Sequence, residues 1–360
     1  MELQSFINNH LDDYINIFKE YKLYVRKYSQ LGLLLVKMKW GSNYDLTNNP
    51  WMKYCRGVII DINKHEVICV PPIKSEQKFD VNINNYGDEY TYEPLIDGTM
   101  INLFYHKDDW IISTRSNIGA KNSWDGKIPF NKLFYDVNGE EWIQKLKKDH
   151  SYSFVLQHKE SRIVSPIDIN SIYLVEMYKR ENGVLIKVPT NELDIIENIN
   201  TIFSINQSDI ECYFNNTLYF SIKGFTIKKE DERIKWINPN YEYVNNLKAN
   251  YNHKFLNYVK LRREWKLSEY LKYFPEEQGI FNEYRDNYSS IKNKLYKSYV
   301  DLHITKSISL KEILYPFKPL VYEIHGHYMK TKHKINMEYI NDYMLNIPDK
   351  RLLFIYNWLF

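Results

Sequence analysis

The chain has 360 residues, 44% of them hydrophobic, enough for two domains or one large domain with an appendage. A formal net charge of only +3 excludes a polycation, so any nucleic-acid binding has to come from local basic patches. With 17 Phe, 32 Tyr and 8 Trp against 12 Gly and 12 Pro, the composition also excludes a mostly disordered or low-complexity chain.

In chain order, residues 2–27 place Ile7, Leu11, Tyr14, Ile15, Phe18 and Tyr21 on one helical face. Leu31–Met38 (LGLLLVKM) reads as a buried strand, and Asn48-Asn49-Pro50 as a turn. Cys55–Asp61 and Glu66–Val70 form a hairpin pattern broken at Asn63-Lys64 and closed by Pro71-Pro72. Ile101–Tyr105 and Trp110–Arg115 flank Lys107-Asp108-Asp109 as a second hairpin. Trp142–Lys148 suggests a short helix, Ser153–Gln157 and Ser171–Met177 suggest strands, Glu192–Phe203 a helix, and Leu218–Lys228 a strand interrupted at Lys223-Gly224. From about Tyr241 the strand signals fade, and 254–274, 281–299 and 333–345 read as helical. The expected fold class is therefore α+β, with a mixed domain over 1–240 and a mostly helical C-terminal domain over 241–360.

Cys55, Cys69 and Cys212 lack C-x-x-C spacing, which fits a reducing compartment and neither a disulfide framework nor a zinc site. His325 and His327 form a His-x-His on an expected strand or loop, with no Cys, Asp or Glu at ligand spacing, so no metal site is expected. No run approaches the roughly 20 apolar residues of a membrane span. The beginning of the chain has no signal-peptide pattern. A cytoplasmic protein with no membrane partner is the expectation.

Leu95-Ile96-Asp97-Gly98-Thr99 has the form of the nucleotidyltransferase signature Lys-x-Asp-Gly-Ser/Thr, with leucine where the lysine would stand. Other blocks occur around it in order: Arg56-Gly57, Lys74 after a double proline, Ser113-Thr114-Arg115-Ser116, Phe154 to Val164, Ile222-Lys223-Gly224-Phe225, and Arg233-Ile234-Lys235. The series resembles the bacteriophage-type, tRNA-repairing ATP-dependent RNA ligases across residues 50–250. That resemblance implies an RNA-ligase-like nucleotidyltransferase domain with antiparallel sheets. It also implies phosphate-binding roles for Arg56, Lys74, Arg115, Arg233 and Lys235, and an inherited pocket position for Asp97.

Three departures bear on the chemistry. The family's lysine carries a nucleotide as a phosphoramidate, and the Leu95 side chain has no lone pair with which to form that bond. Val155 stands where a glutamate that binds ribose or metal is expected, and Lys223 where another glutamate is expected. A lysine there would repel magnesium. The reading is a catalytically degenerate, RNA-ligase-like pseudoenzyme that binds RNA or a nucleotide non-covalently, including an RNA 5′ end. No cofactor is required by it, and ATP or GTP is a candidate non-covalent ligand.

Other readings stay open. The basic charges of these blocks are equally read as solvated surface, Asp97-Gly98 as an ordinary turn, and Lys223 as a lysine snorkelling out of a collapsed pocket. Lys78 is a candidate displaced nucleophile, which would make the chain a working ligase. The segment 254–272 carries Lys254, Arg262, Arg263 and Lys266 with Trp265 among its aromatics. It reads as RNA-binding, or as an amphipathic packing helix. The abundance of Tyr and Trp leaves room for a scaffold subunit with protein partners.

Overall fold

The computed structural model describes every residue except Asp88, 125–127, 193–198, 207–208, 211–219, Asp231, Asn250 and Asn252, and the side chain of Asn138. Cys212 and half of the helix expected over Glu192–Phe203, residues 193–198, lie outside the described residues. The chain forms two compact units, Met1–Asn245 and Asn246–Phe360. The fold is a mixed α+β arrangement with largely antiparallel sheets, followed by a helical region.

In the first unit, helices α1 (Glu2–Asn9) and α2 (Tyr14–Glu20) precede strands β1 (Tyr24–Tyr28), β2 (Leu33–Lys37), β3 (Arg56–Asp61) and β4 (Glu66–Cys69). The helical pattern expected through residue 27 stops early. Lys22 takes a left-handed φ of 58°, and the following residues pair antiparallel with β2 as an added strand. The four strands make one sheet in the order β1-β2-β3-β4. Its apolar run is buried on both faces, as the period of two requires. Leu34 and Val36 pack with Leu3, Ile7 and Phe18, while Leu33 and Leu35 pack with Phe104 and Ile118 on the other side. Fully burying such a side chain stabilises the fold by roughly 1.5–3 kcal/mol.

The second sheet contains β7 (Thr99–His106), β8 (Asp109–Thr114), β9 (His150–Gln157), β10 (Ser171–Glu181), β11 (Val184–Val188) and β12 (Ile199–Thr201). Its order is β11-β10-β9-β7-β8, with β12 parallel to the start of β10. Ile199–Thr201 is thus strand where helix was expected, because Ile172, Tyr173 and Leu174 offer it a free backbone edge. Helix α3 (Phe130–Asn138) covers one face of this sheet through Phe134, which meets Phe154 and Trp142.

The third sheet is smaller: β5 (Glu76–Lys78), β14 (Glu232–Ile237), β13 (Gly224–Lys229) and β6 (Thr91–Pro94), in that order. Helix α4 (Pro239–Lys248) follows it.

The second unit holds α5 (Lys254–Arg263), α6 (Leu267–Tyr273), α7 (Gln278–Tyr299), α8 (Lys318–Thr331), α9 (Met337–Asn346) and α10 (Asp349–Leu359). Its core is aromatic. Phe255 stacks on Tyr356 at 4.1 Å between ring centroids, and Tyr270 on Phe281 at 5.2 Å. His325 and His327 lie in helix α8 rather than on a strand or loop, because Pro319 starts that helix and no proline interrupts it.

Candidate anion-binding site

The site is built where strand ends of the three sheets meet. Arg56 opens β3, and Arg115 immediately follows β8. Gly57 lets their backbones approach. Its φ is +103°, and a Cβ there would stand 2.6 Å from Arg115 Cα and 2.7 Å from Arg115 O. Only glycine tolerates that combination of dihedral and contact. Arg233 and Lys235 are two apart on β14 and therefore share a face. Leu95 follows β6 and is tied to the start of β13 by its backbone N–H, which donates to Gly224 O at 2.8 Å.

These residues line one pocket of about 110 Å³. Arg56, Arg115, Lys223, Arg233 and Lys235 are its cationic lining residues, and Leu95, Met100, Val155, Val175 and Ile202 are among its apolar ones. An engineered apolar cavity of about 150 Å³ holds benzene. The space suits one or two phosphate groups, and its open mouth leaves the rest of a larger ligand in solvent.

Two of the five cations are neutralised within the fold. Arg233 donates from Nη1 to Glu176 Oε1 at 2.5 Å, with Lys187 Nζ 3.5 Å from the same oxygen. Burial alone would raise the Glu176 carboxyl, but Arg233 and then Lys187 outweigh it and hold it below the usual glutamate range. Lys223 pairs with Asp97. The third acid near the pocket, Glu93, pairs with Lys228.

The other three cations have no carboxylate partner among the described residues. The Nε groups of Arg56 and Arg115 are buried without a hydrogen-bond acceptor. Burial, followed by the neighbouring cations, pulls Arg56, Arg115 and Lys235 below their ordinary values, Lys235 well below. Like charges held together partly out of water destabilise one another, and an incoming anion relieves that cost.

Asp97 is only 5% exposed. Its Oδ1 accepts from Lys223 Nζ at 2.9 Å and Tyr241 OH at 2.6 Å. Its Oδ2 accepts from the backbone N–H groups of Val164 and Ser165, each at 3.0 Å. Burial would raise this carboxyl, but Lys223, Tyr241 and the Ser165 amide together keep it below the usual aspartate range. A carboxylate has about four lone-pair positions, and four donors occupy them here.

Magnesium, which the ligase resemblance implies, does not fit these residues. The ion needs free carboxylate or water oxygens around it. Asp97 is saturated, Glu176 and Glu93 are each held by a cation, and the Lys223 ammonium stands against the one aspartate of the signature. Among the described residues no group of three or more His, Cys, Asp or Glu could hold a metal ion.

The remaining candidate residues are placed as follows. Lys74 is not among the pocket-lining residues, although Pro72, Ile73 and Ser75 are; its N–H donates to Lys53 O at 3.0 Å. Lys78 lies on β5, 3.3 Å from Glu76 and hydrogen-bonded to Tyr86 OH at 3.4 Å. Those partners, Tyr86 first, raise its ammonium above the ordinary value, the opposite of what an amine nucleophile needs.

In the helical unit, Lys254 pairs with Glu277 at 3.0 Å and Arg263 with Asp349 at 2.5 Å. The Arg262 guanidinium lies over the Tyr288 ring at 4.7 Å, and Lys266 also interacts within the protein. Trp265 is different. It is 90% exposed in the turn between α5 and α6, with φ of 59°. Sequence reasoning missed Glu176 and Tyr241. An acid inside the apolar run of β10 was a usable signal for the first, since a buried carboxylate demands a cation. No local signal marks Tyr241.

No known protein-family profile matches the chain. Among curated proteins it is similar to the "Putative RNA-ligase" of African swine fever virus (isolate Tick/Malawi/Lil 20-1/1983), 25% identical over 116 residues. That match covers 30% of this chain and about a quarter, 24%, of the viral protein. Among solved structures it is similar to the "Putative ATP-dependent DNA ligase from Aquifex aeolicus", with a TM-score of 0.46 and 13% identity over 88% of this chain and 80% of that one. An archaeal ATP-dependent RNA ligase, form 1, gives a TM-score of 0.46 and 11% identity over 76% of this chain and 70% of that one. The match to the viral protein supports an RNA-ligase-like relationship.

Proposed function

We propose that this chain is a non-catalytic, RNA-ligase-like protein that binds the phosphates of a nucleotide or an RNA 5′ end non-covalently. The observation that carries this reading is the trio of half-buried cations with no carboxylate partner among the described residues, Arg56, Arg115 and Lys235, lining a pocket that Leu95 also lines. The cations supply attraction for a phosphate chain, and Arg offers a planar fork suited to its oxygens. Leu95 supplies no nucleophile. Val155 presents two methyl groups where an acid would engage ribose or metal, so the apolar wall contributes contact area rather than chemistry. RNA as the partner rests on the ligase relationship and on this phosphate-sized pocket.

The test is to incubate the purified chain with α-labelled ATP or GTP and magnesium, denature it, and look for label on the polypeptide. In parallel, its thermal transition is followed with unlabelled nucleotide and with 5′-triphosphate RNA. The expected result is no covalent label and a ligand-dependent rise in the transition temperature. Label on the polypeptide would show a working nucleotidyltransferase with another nucleophile, and the absence of any ligand-dependent shift would remove phosphate binding.

A further inference from the structure

The conflict between this pocket and magnesium has a consequence for how a ligand enters it. A polyphosphate normally arrives as a magnesium complex, with the metal bridging phosphate oxygens and protein carboxylates. Here three acids at the pocket, Asp97, Glu176 and Glu93, are each already bound to a cation of the protein among the described residues. Asp97 receives four donors, Glu176 receives Arg233 and Lys187, and Glu93 receives Lys228. Lys223 stands beside Asp97 with its side chain 24% exposed, and it also lines the pocket. Its ammonium therefore presents positive charge both to the aspartate and to the ligand space, the two partners a bridging metal would otherwise join.

We propose that the pocket takes a polyphosphate group free of divalent metal, with the Lys223 ammonium standing in place of the ion. This rests on the phosphate-binding reading above and adds the ionic form of the ligand. The unpaired charges of Arg56, Arg115 and Lys235 then meet the full charge of the anion. Magnesium acts as a competitor, because it holds the anion in solution and finds no free carboxylate at the pocket among Asp97, Glu176 and Glu93.

The experiment is calorimetric titration of the full chain with inorganic pyrophosphate, once in EDTA and once in excess magnesium. Binding in EDTA that is weakened by excess magnesium is the expected result, and an affinity that magnesium leaves unchanged removes its role as competitor. Binding strengthened about tenfold or more by magnesium, a 1.4 kcal/mol effect, overturns the metal-free form while leaving phosphate binding in place. No binding in either buffer removes the phosphate-binding reading and this inference with it. Lys223→Glu provides a second readout. It should lose binding in EDTA by about tenfold or more, and what remains should become magnesium-dependent. If it binds pyrophosphate in EDTA as the native chain does, Lys223 takes no part.

Discussion

Replacing Asp97 with asparagine would separate a structural carboxylate from a ligand-binding one. The carboxylate accepts from Lys223, Tyr241, Val164 and Ser165, and the asparagine amide would turn an N–H toward donors that need an acceptor. Removing one partner of a buried ion pair costs about 3–5 kcal/mol. The Lys223 side chain is 24% exposed, so its ammonium can reach water, which brings the expected loss to about 2–3 kcal/mol. A domain of this size loses roughly 2–4 °C per kcal/mol, so the transition temperature should fall by about 4–12 °C, measured by scanning calorimetry on the full chain. Asp97 also contributes stability that is present above the unfolded-state value of 3.8 and disappears as pH falls through its lower folded-state value. The variant should lack that acid-side component. Pyrophosphate affinity should hold or rise, because the pocket has lost a negative charge. A shift within about 1 °C, or abolished binding in a still-folded variant, would refute the reasoning, since either result would make Asp97 a ligand-side group.

Lys235→Met should lower pyrophosphate affinity by about tenfold or more and raise the transition temperature, because it removes a half-buried charge with no carboxylate partner among the described residues; a stability loss with unchanged affinity would contradict this. Since burial and neighbouring cations depress the Lys235 amine, the unfolded chain binds more protons between its folded and unfolded values, and that contribution to stability increases with pH up to about 10.5. A bound anion favours the ammonium, so pyrophosphate binding should weaken as pH rises through this window and should be accompanied by proton uptake when titrated in two buffers of different ionisation enthalpy. Trp265→Ala should leave stability within about 0.5 kcal/mol. If this turn stacks on RNA bases, the same change should weaken single-stranded RNA binding by roughly 1–3 kcal/mol, read by fluorescence anisotropy.

What the sequence could reveal was governed by how local each signal is. The run LGLLLVKM announces a strand buried on both faces, and the β-branched hairpin around Asn63-Lys64 announces β3 and β4. Ser171–Met177 and the 254–299 helices were likewise visible as periodic patterns. The early strand at Tyr24–Tyr28 was hidden, because its residues also fit the preceding helical face and only pairing with β2 decides between them. In the pocket, Leu95 and Lys223 could be read as departures from a motif. That the Lys223 ammonium meets Asp97 across 126 positions could not. The basic residues of α5 show the same limit, since their charge is legible but the partners Glu277 and Asp349 lie far along the chain.

Burial gives the charges of the pocket their meaning. A lysine on the surface persists at little cost, but a guanidinium or ammonium held out of water beside others of its sign lowers the stability of the chain that carries it. Arg233 escapes that cost through Glu176, and Lys223 through Asp97. Arg56, Arg115 and Lys235 do not, and Gly57 is required to let the first two approach at all. In a chain that bound no anion there, methionine or leucine at any of the three positions would be the more stable choice. A cluster with this cost and no carboxylate partner among the described residues fits a counter-ion supplied from outside, and Leu95, Val155 and Val175 add apolar contact to the same pocket.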